Sequence, residues 1–414
     1  MAVIKPFKGI RPVMDKAHLV ASRPYDVLNS EEARIEAKGN PWSFLHVVKP
    51  EIDLPKDTDL YDPAIYNKAK ENFERLLKDE VFIQDDNEHL YIYAQTMNGK
   101  TQYGLVGCAS IDDYFNNVIL KHELTRPVKE KDRMTHVDVT NINAGPIFLT
   151  YPDVPEINTI VEEVIKDKPE YDFTAVDDIH HTFWAIKEKE KINRLVQLFD
   201  NIPHTYIADG HHRTASAALV GKARREANPQ HTGNEEYNYF LAVHFPASQL
   251  RIIDYNRVVK DLNGNSTVEF LQKLENNFTI EEKGINPYHP QTFHDFGLYL
   301  DKKWYSMTAR EGTYDQHDPV GVLDVTILFN NILDPILGIK DLRTDKRIDF
   351  VGGIRGLEEL GRRVDSGEMK LAFALYPVTI KQLMNISDTN NIMPPKTTWF
   401  EPKLRSGLVV HSLS

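Results

Sequence analysis

The sequence predicts a mixed α+β protein built from more than one unit, and three observations carry that expectation. At 414 residues the chain suggests about two or three domains, or one large domain with an insertion. A hydrophobic fraction of 41% and a charged fraction of 27% match a globular chain rather than a disordered or fibrous one. Strand-like and helix-like patterns both recur, and beyond about residue 256 they regroup as if a second α+β unit begins.

The elements follow in order. Val3-Ile4 is a short strand-like start, and Ser22 to Asp26 is a turn. Asn29 or Ser30 caps a helix whose first turn holds Glu31 and Glu32. Residues 40–60 are rich in proline and read as loop. Asp62-Pro63 opens a helix to residue 79, in which Ile65, Ala69, Phe73, Leu76 and Leu77 keep helical spacing. His89–Ala94 and Lys100–Cys108 flank Met97-Asn98-Gly99, a hairpin signal in which Asn-Gly supplies positive backbone angles. Helices are expected over 111–120 and 155–167, and strands over 145–151, 181–187 and 205–208. A helix rich in small residues then runs to about Ala227, a polar loop covers 228–236, and Tyr239–Phe245 is a buried strand. Past residue 256 the pattern gives helices over 267–277, 322–333, 355–366 and 379–386. A strand pair is expected near 295–307 and a strand over 370–376.

Composition excludes several functions. Lys and Arg number 49 against 61 Asp and Glu, a formal charge of -12, which disfavours general binding to nucleic acid or anionic membrane. The single cysteine, Cys108, excludes an internal disulfide framework and a Cys-rich metal site. No apolar run is long enough for a transmembrane helix, and the start lacks the shape of a signal peptide. A cytoplasmic protein is the expectation.

The segment with the most chemistry is Ala208-Asp209-Gly210-His211-His212-Arg213-Thr214-Ala215. A strand ends in an acid, Gly210 permits a tight turn, and two imidazoles and a guanidinium open a helix. A helix N-terminus offers free N–H groups and partial positive charge, a ready anion site. Arg213 adds a fork suited to phosphate or carboxylate. A cation there opposes the helix dipole at about 0.3–1 kcal/mol, which a bound anion would offset. Ala215, Ser216, Ala217, Ala218 and Gly221 allow close packing. The spacing of His211 and His212 does not suit a metal, because adjacent rings rarely reach one ion and no Glu lies between them.

Other segments are read in two ways. Lys121 to Arg133 is either a solvated charged face or a pocket edge, with His122 and Glu123 facing ligand and Arg126 or Arg133 holding an anion. His180-His181 precede an aromatic strand and read as core or edge histidines, since neighbours on a strand face opposite ways. Met393 to Phe400 sets Lys396, Thr397 and Thr398 behind Pro394-Pro395. It is either a structural loop or a holder of a small polar substrate. Val351 to Gly356 is glycine-rich but lacks P-loop and dinucleotide spacing, and reads as a turn before a helix.

Two stretches, Arg23-Pro24-Tyr25-Asp26-Val27 and Ala208 to Arg213, resemble a bacterial family known as a domain of unknown function. The second is also similar to free serine kinases of the ParB/sulfiredoxin-like superfamily, which phosphorylate L-serine with a nucleotide donor and carry an Asp-Gly-His-His-Arg turn. Gly367 to Phe373 and Pro394-Pro395-Lys396-Thr397-Thr398 look like that family's C-terminal strand and substrate loop. Those kinases place an acid proposed as catalytic base in a Pro-His-Glu run, and Pro24-Tyr25-Asp26 stands at the matching place. Asp26 thus replaces Glu, with Glu31, Glu32 and Glu123 as other acids for the role.

The resemblance implies a ParB/sulfiredoxin-like nucleotide-binding core in 1–59 and 196–255, an inserted α+β region over 60–195, and a C-terminal α+β domain over 256–414. It implies a phosphotransferase that moves a phosphoryl group from ATP or ADP, with Mg²⁺, to the hydroxyl of free L-serine or a similar hydroxy amino acid. Gly210, His211, His212 and Arg213 would bind the donor. Asp26, Asp209, His212 and Arg213 would carry the chemistry. Lys396, Thr397 and Thr398, with His122 and Glu123, would bind the acceptor. A ParB-like nucleotide switch and a non-catalytic ligand-binding regulator are the alternatives. A sulfiredoxin-like repair role is disfavoured, because Cys108 lies far in sequence from the turn.

Overall fold

Alternating side chains over residues 90–110 build the middle of the larger sheet. In the computed structural model, which describes residues 1–414, the hairpin comprises β1 (Leu90–Met97) and β2 (Lys100–Ser110). Asn98 and Gly99 take positive φ of 53° and 73°, as the sequence requires of that turn. Leu90, Ile92 and Ala94 pack in one core cluster with Leu105, Trp184 and Ile186. Tyr91, of the opposite parity, stacks on Phe183.

The chain divides into two units, Met1–Leu250 with Pro402–Ser414, and Arg251–Glu401. In unit 1 the hairpin is joined by β3 (Ile119–Leu120), β4 (Ile147–Tyr151), β5 (Tyr171–Thr174), β6 (His180–Ile186), β7 (Thr205–Asp209) and β8 (Tyr239–Pro246). The order across the sheet is β3-β7-β4-β8-β2-β1-β6-β5. β7 runs parallel to β3, and β8 parallel to β4, while the other pairs are antiparallel.

The helices of this unit are α1 (Ser30–Glu36), α2 (Pro63–Lys78), α3 (Pro127–Thr140), α4 (Pro155–Val164), α5 (Lys189–Phe199) and α6 (His211–Ala227). α4 and α5 bury Ile157, Ile160, Val164, Leu195 and Phe199 against the hairpin cluster. α6 sets Ala217 and Ala218 against Ile147, Leu149, Ile207 and Phe240. Its Gly221 has no room for a side chain, since a Cβ there would lie 2.2 Å from the Tyr237 carbonyl oxygen. A further cluster around α2 holds Phe44, Val47, Phe73, Leu76 and Phe82 with Val410 of the tail.

Three expectations change in unit 1. The helix expected over 111–120 spans only Ile111–Phe115, because Asn117 turns left-handed (φ 55°) and frees Ile119–Leu120 to pair as β3. The proline-rich stretch 40–60, expected as loop, contains the short buried helical turns Leu45–Val48 and Pro50–Asp53. The boundaries also differ. Residues 60–195, set apart above as an insertion, supply six of the eight strands of the sheet that also holds β7 and β8. Residues 402–414, expected with the C-terminal domain, belong to unit 1, where Ser406 bridges to Ser22 and Val410 to Ile10.

Unit 2 is a sheet of β9 (Tyr255–Val259), β10 (Phe278–Gly284), β11 (Asp295–Leu300), β12 (Lys303–Ala309), β13 (Ile348–Gly352) and β14 (Leu371–Leu375). Its order is β10-β12-β11-β14-β9-β13, all antiparallel. The helices α7 (Thr267–Leu274), α8 (Leu357–Asp365) and α9 (Ile380–Asp388) accompany it. Leu357 and Leu360 of α8 pack on Val258, Tyr299 and Trp304. The glycine-rich run near 352 is the turn before α8, as expected. No helix of the chain is long and apolar enough to cross a membrane.

Candidate functional site

The strand-to-helix turn expected from the sequence is present. β7 ends at Asp209, Gly210 turns with φ 95°, and α6 begins at His211 with no side chain capping it. A register shift between Ile207 and Asp209 against β4 bulges the strand just before the acid, a device that re-aims a side chain at a strand end. Gly210 is needed for its left-handed backbone and for space, since a Cβ there would lie 3.1 Å from the Arg213 guanidinium carbon.

Arg213 folds back over that glycine. Its Nη2 donates to Asp209 Oδ2 at 2.8 Å, and its Nη1 donates to the Pro146 carbonyl. Asp26 Oδ2 stands 3.9 Å from the same Nη2, with its side chain 42% exposed. Lys403 Nζ donates to Asp209 Oδ1 at 3.2 Å, so both oxygens of this acid face a cation. Burial by itself would raise the Asp209 pKa, but Lys403 and Arg213 outweigh it and hold the carboxyl at about 2. Burial opposes the Arg213 charge too, yet Asp26 and Asp209 keep its pKa raised, so this guanidinium stays charged.

The histidines are neutral at neutral pH. Burial lowers His211 well below its usual value, aided by His122, and lowers His122 to about 4. The two rings meet edge to face at 4.5 Å. His212 is lowered by burial and by Arg126. Two buried atoms of the turn, Arg213 Nε and His212 Nδ1, have no hydrogen-bond partner. Orphaned polar atoms at a helix N-terminus are what an anion-binding turn leaves for its ligand.

Behind the turn lies a cavity of about 40 Å³. Its lining includes Tyr25, Arg133, His136, Arg213, Ser216 and Ser406. Arg133 lies over the Tyr25 ring at 4.3 Å and donates to Asp132 at 3.0 Å. The lining thus sets the Arg133 and Arg213 guanidiniums beside the Tyr25 ring and the hydroxyl of Ser216.

Of the residues the sequence singled out, unit 1 brings together Asp26, Asp209, Gly210, His211, His212, Arg213 and His122. Glu123 is half-buried in the loop before α3, and Arg126 is exposed, so Arg133 is the arginine of that charged segment that reaches the cavity. The other acids near Asp26 have local work. Glu32 accepts the Asn29 N–H in a capping box, and Glu31 pairs with exposed Lys56. His181 is a core histidine held between Tyr93 and Arg405, while His180 is partly exposed beside Asp172.

Lys396, Thr397 and Thr398 lie in unit 2. Lys396 is exposed with φ 61°, and Thr397 is buried with its hydroxyl donating to the Pro394 carbonyl at 2.6 Å. Sequence reasoning missed Lys403, Tyr25 and His136. Lys403 carries no motif of its own and is found only through the fold, which returns the tail to β7.

No group of three or more His, Cys, Asp or Glu side chains is arranged to hold a metal ion. With both Asp209 oxygens engaged by cations, the turn offers no protein cage for Mg²⁺.

No curated protein sequence matches this chain. Several solved structures are similar to it at low identity, three of which follow. The first is a conserved hypothetical protein from Pyrococcus furiosus, at 14% identity and a TM-score of 0.35, covering 74% of this chain and 95% of that one. The second is a free serine kinase in complex with AMP, at 14% identity and a TM-score of 0.36, covering 73% and 91%. The third is SbnI with a C-terminal truncation from Staphylococcus aureus, at 10% identity and a TM-score of 0.39, covering 74% and 87%. The family model described as "Protein of unknown function (DUF1015)" matches residues 4–326, and the chain belongs to that family.

Proposed function

We propose that this chain is a nucleotide-dependent phosphotransferase whose acceptor is the hydroxyl of a free amino acid, L-serine on the resemblance noted above. The observation that supports it most is the Asp209–Arg213 turn, with a permanently charged guanidinium, two orphaned buried polar atoms and a carboxylate 3.9 Å away. Phosphoryl transfer asks the protein mainly for positioning and charge stabilisation, which such a turn supplies.

In this reading the N–H groups at the start of α6, with Arg213 and His212, receive the phosphates of ATP or ADP. Asp209 and Lys403 fix the guanidinium. Neutral His211 and His122 wall the turn and add no competing charge. Asp26, the most exposed acid beside Arg213, accepts the proton of the acceptor hydroxyl. The new bond joins that oxygen to phosphorus, and the nucleotide leaves with the electrons of the broken P–O bond. The resemblance alone assigns the acceptor's carboxylate to Lys396, Thr397 and Thr398. A magnesium ion carried in on the nucleotide phosphates would supply charge neutralisation there. The superfamily assignment rests on the sequence resemblance.

The test is an incubation of the pure protein with Mg²⁺, labelled ATP or ADP, and a mixture of amino acids. Labelled O-phosphoserine is the expected product, free phosphate alone would favour a nucleotide switch, and no turnover would favour a binding protein. Asp26→Asn removes the base at a partly exposed position. It should lower kcat by about 10²-fold or more while the melting temperature stays put. Activity of the variant within tenfold of the parent contradicts the assignment.

A further inference from the structure

α3 carries a guanidinium that the scheme above leaves unused. Arg133 is paired with Asp132, a buried acid whose two oxygens are both engaged inside the protein. Tyr66 of α2 donates its hydroxyl to Asp132 Oδ1 at 3.0 Å, and Arg133 Nε donates to Oδ2 at 3.0 Å. A guanidinium has five N–H donors, and Asp132 takes one of them. The rest of the group lies over the Tyr25 ring, 4.3 Å from its centroid. Burial opposes the Arg133 charge, but Asp132 and Tyr25 keep its pKa raised, so the group stays charged.

Tyr25 stands within reach of two guanidiniums. Burial and Asp26 push its phenol pKa up to about 12 against the pull of Arg133 and Arg213. The hydroxyl is therefore protonated at neutral pH, and it makes no hydrogen bond to the rest of the chain. Arg213 lines the same cavity, and its buried Nε is orphaned. His136 lines it too, but its Nε2 is spent on the Val47 carbonyl, and burial with Arg133 holds the ring neutral at a pKa of about 4. One cavity thus gathers the unspent fork of Arg133, the Tyr25 hydroxyl and Arg213 Nε. Asp132 and Asp209 are already committed to cations, so neither supplies an acceptor there. Donors left unpaired at a buried site are costly, and an oxyanion would satisfy all three.

We propose that Tyr25 and Arg133 bind the terminal phosphate of the nucleotide, together with Arg213 Nε. The inference rests on the phosphotransferase reading and extends it by two residues to which that scheme gives no role. It also divides the phosphates between two places: the α6 N-terminus takes the one nearer the nucleoside, and the cavity takes the last. A neutral hydroxyl and a delocalised fork suit a group whose charge spreads over three oxygens as it transfers. Tyr25 directly precedes Asp26, so one turn presents the proposed base and a hydrogen-bond donor to the same phosphoryl group.

The test uses the full chain and reads binding without turnover. ADP and AMP differ by the phosphate that this subsite takes, so each is titrated by calorimetry, with Mg²⁺, into the parent, Tyr25→Phe and Arg133→Lys. The first variant removes one oxygen, and the second keeps a positive charge but loses the fork. Each should bind ADP about tenfold or more weakly than the parent and AMP as tightly. Tyr25→Phe should melt with the parent and lower kcat about tenfold or more, with the KM for serine unchanged. If Arg133→Lys fails to fold, Tyr25→Phe still decides. Equal losses for ADP and AMP, no loss for either, or no ADP binding by the parent overturns the subsite. A loss confined to the KM for serine also overturns it, since the cavity would then hold the acceptor. A loss selective for ADP, in a protein that forms no phosphoserine, overturns the kinase reading alone. Phosphoserine formation at the parent kcat in both variants, with ADP affinity unchanged, overturns the subsite alone.

Discussion

At the scale of single residues, Asp209 organises the turn. It is a half-buried carboxylate between Lys403 and Arg213 whose folded value of about 2 lies below its ordinary 3.8. A carboxyl depressed in this way contributes stability above pH ~4, and that contribution is lost as pH falls through about 2. Lys403→Met removes one of its two cations at almost constant volume. The acid limb of the unfolding profile should then move to higher pH, measured by urea denaturation between pH 2 and 6. An unchanged acid limb would mean that Lys403 does not hold the ionised form. Most of this cluster was legible, because Asp209 to Arg213 are contiguous in sequence and the turn needs Gly210. Asp26 was reached only through the family resemblance. Lys403 was not legible, since a lysine in a tail gives no local sign of the strand end it meets.

At the scale of elements, legibility followed apolar periodicity. α2 and the β1–β2 hairpin carry clear patterns and formed where expected. α3 does not, because its buried residues are Asp132, His136 and Thr140, a polar face that makes no apolar stripe. The charged run at its start read equally well as a solvated surface. β9 was missed for a similar reason, since a strand with buried Asn256 and Arg257 resembles no core strand. α6 shows the reverse. Its small residues announced close packing, and Gly221 is held against the backbone of Tyr237. Gly221→Ala should therefore destabilise the protein by about 1–3 kcal/mol despite alanine's better helix propensity. A thermal melt equal to or above that of the parent would show that the helix shifts freely on its sheet.

At the scale of the whole molecule, the boundaries were the least legible feature. Residues 402–414 return to unit 1, where Arg405, 5% exposed, donates to His181 and pairs with Asp177. Such long-range pairing leaves no mark on local sequence. Removing Pro402–Ser414 leaves His181 and Asp177 without their arginine and Asp209 without its lysine. The truncated chain should lose several kcal/mol, as when a buried ion pair is broken from one side. Urea midpoints of the two chains measure this, and equal midpoints would contradict it.

The proposal that the β7–α6 turn grips a polyphosphate is tested most directly by a crystal structure of the protein with ADP. The phosphate oxygens should lie within hydrogen-bonding distance of the N–H groups of His211 to Arg213 and of the Arg213 guanidinium. Phosphates bound elsewhere, with this turn in contact only with solvent, would contradict it.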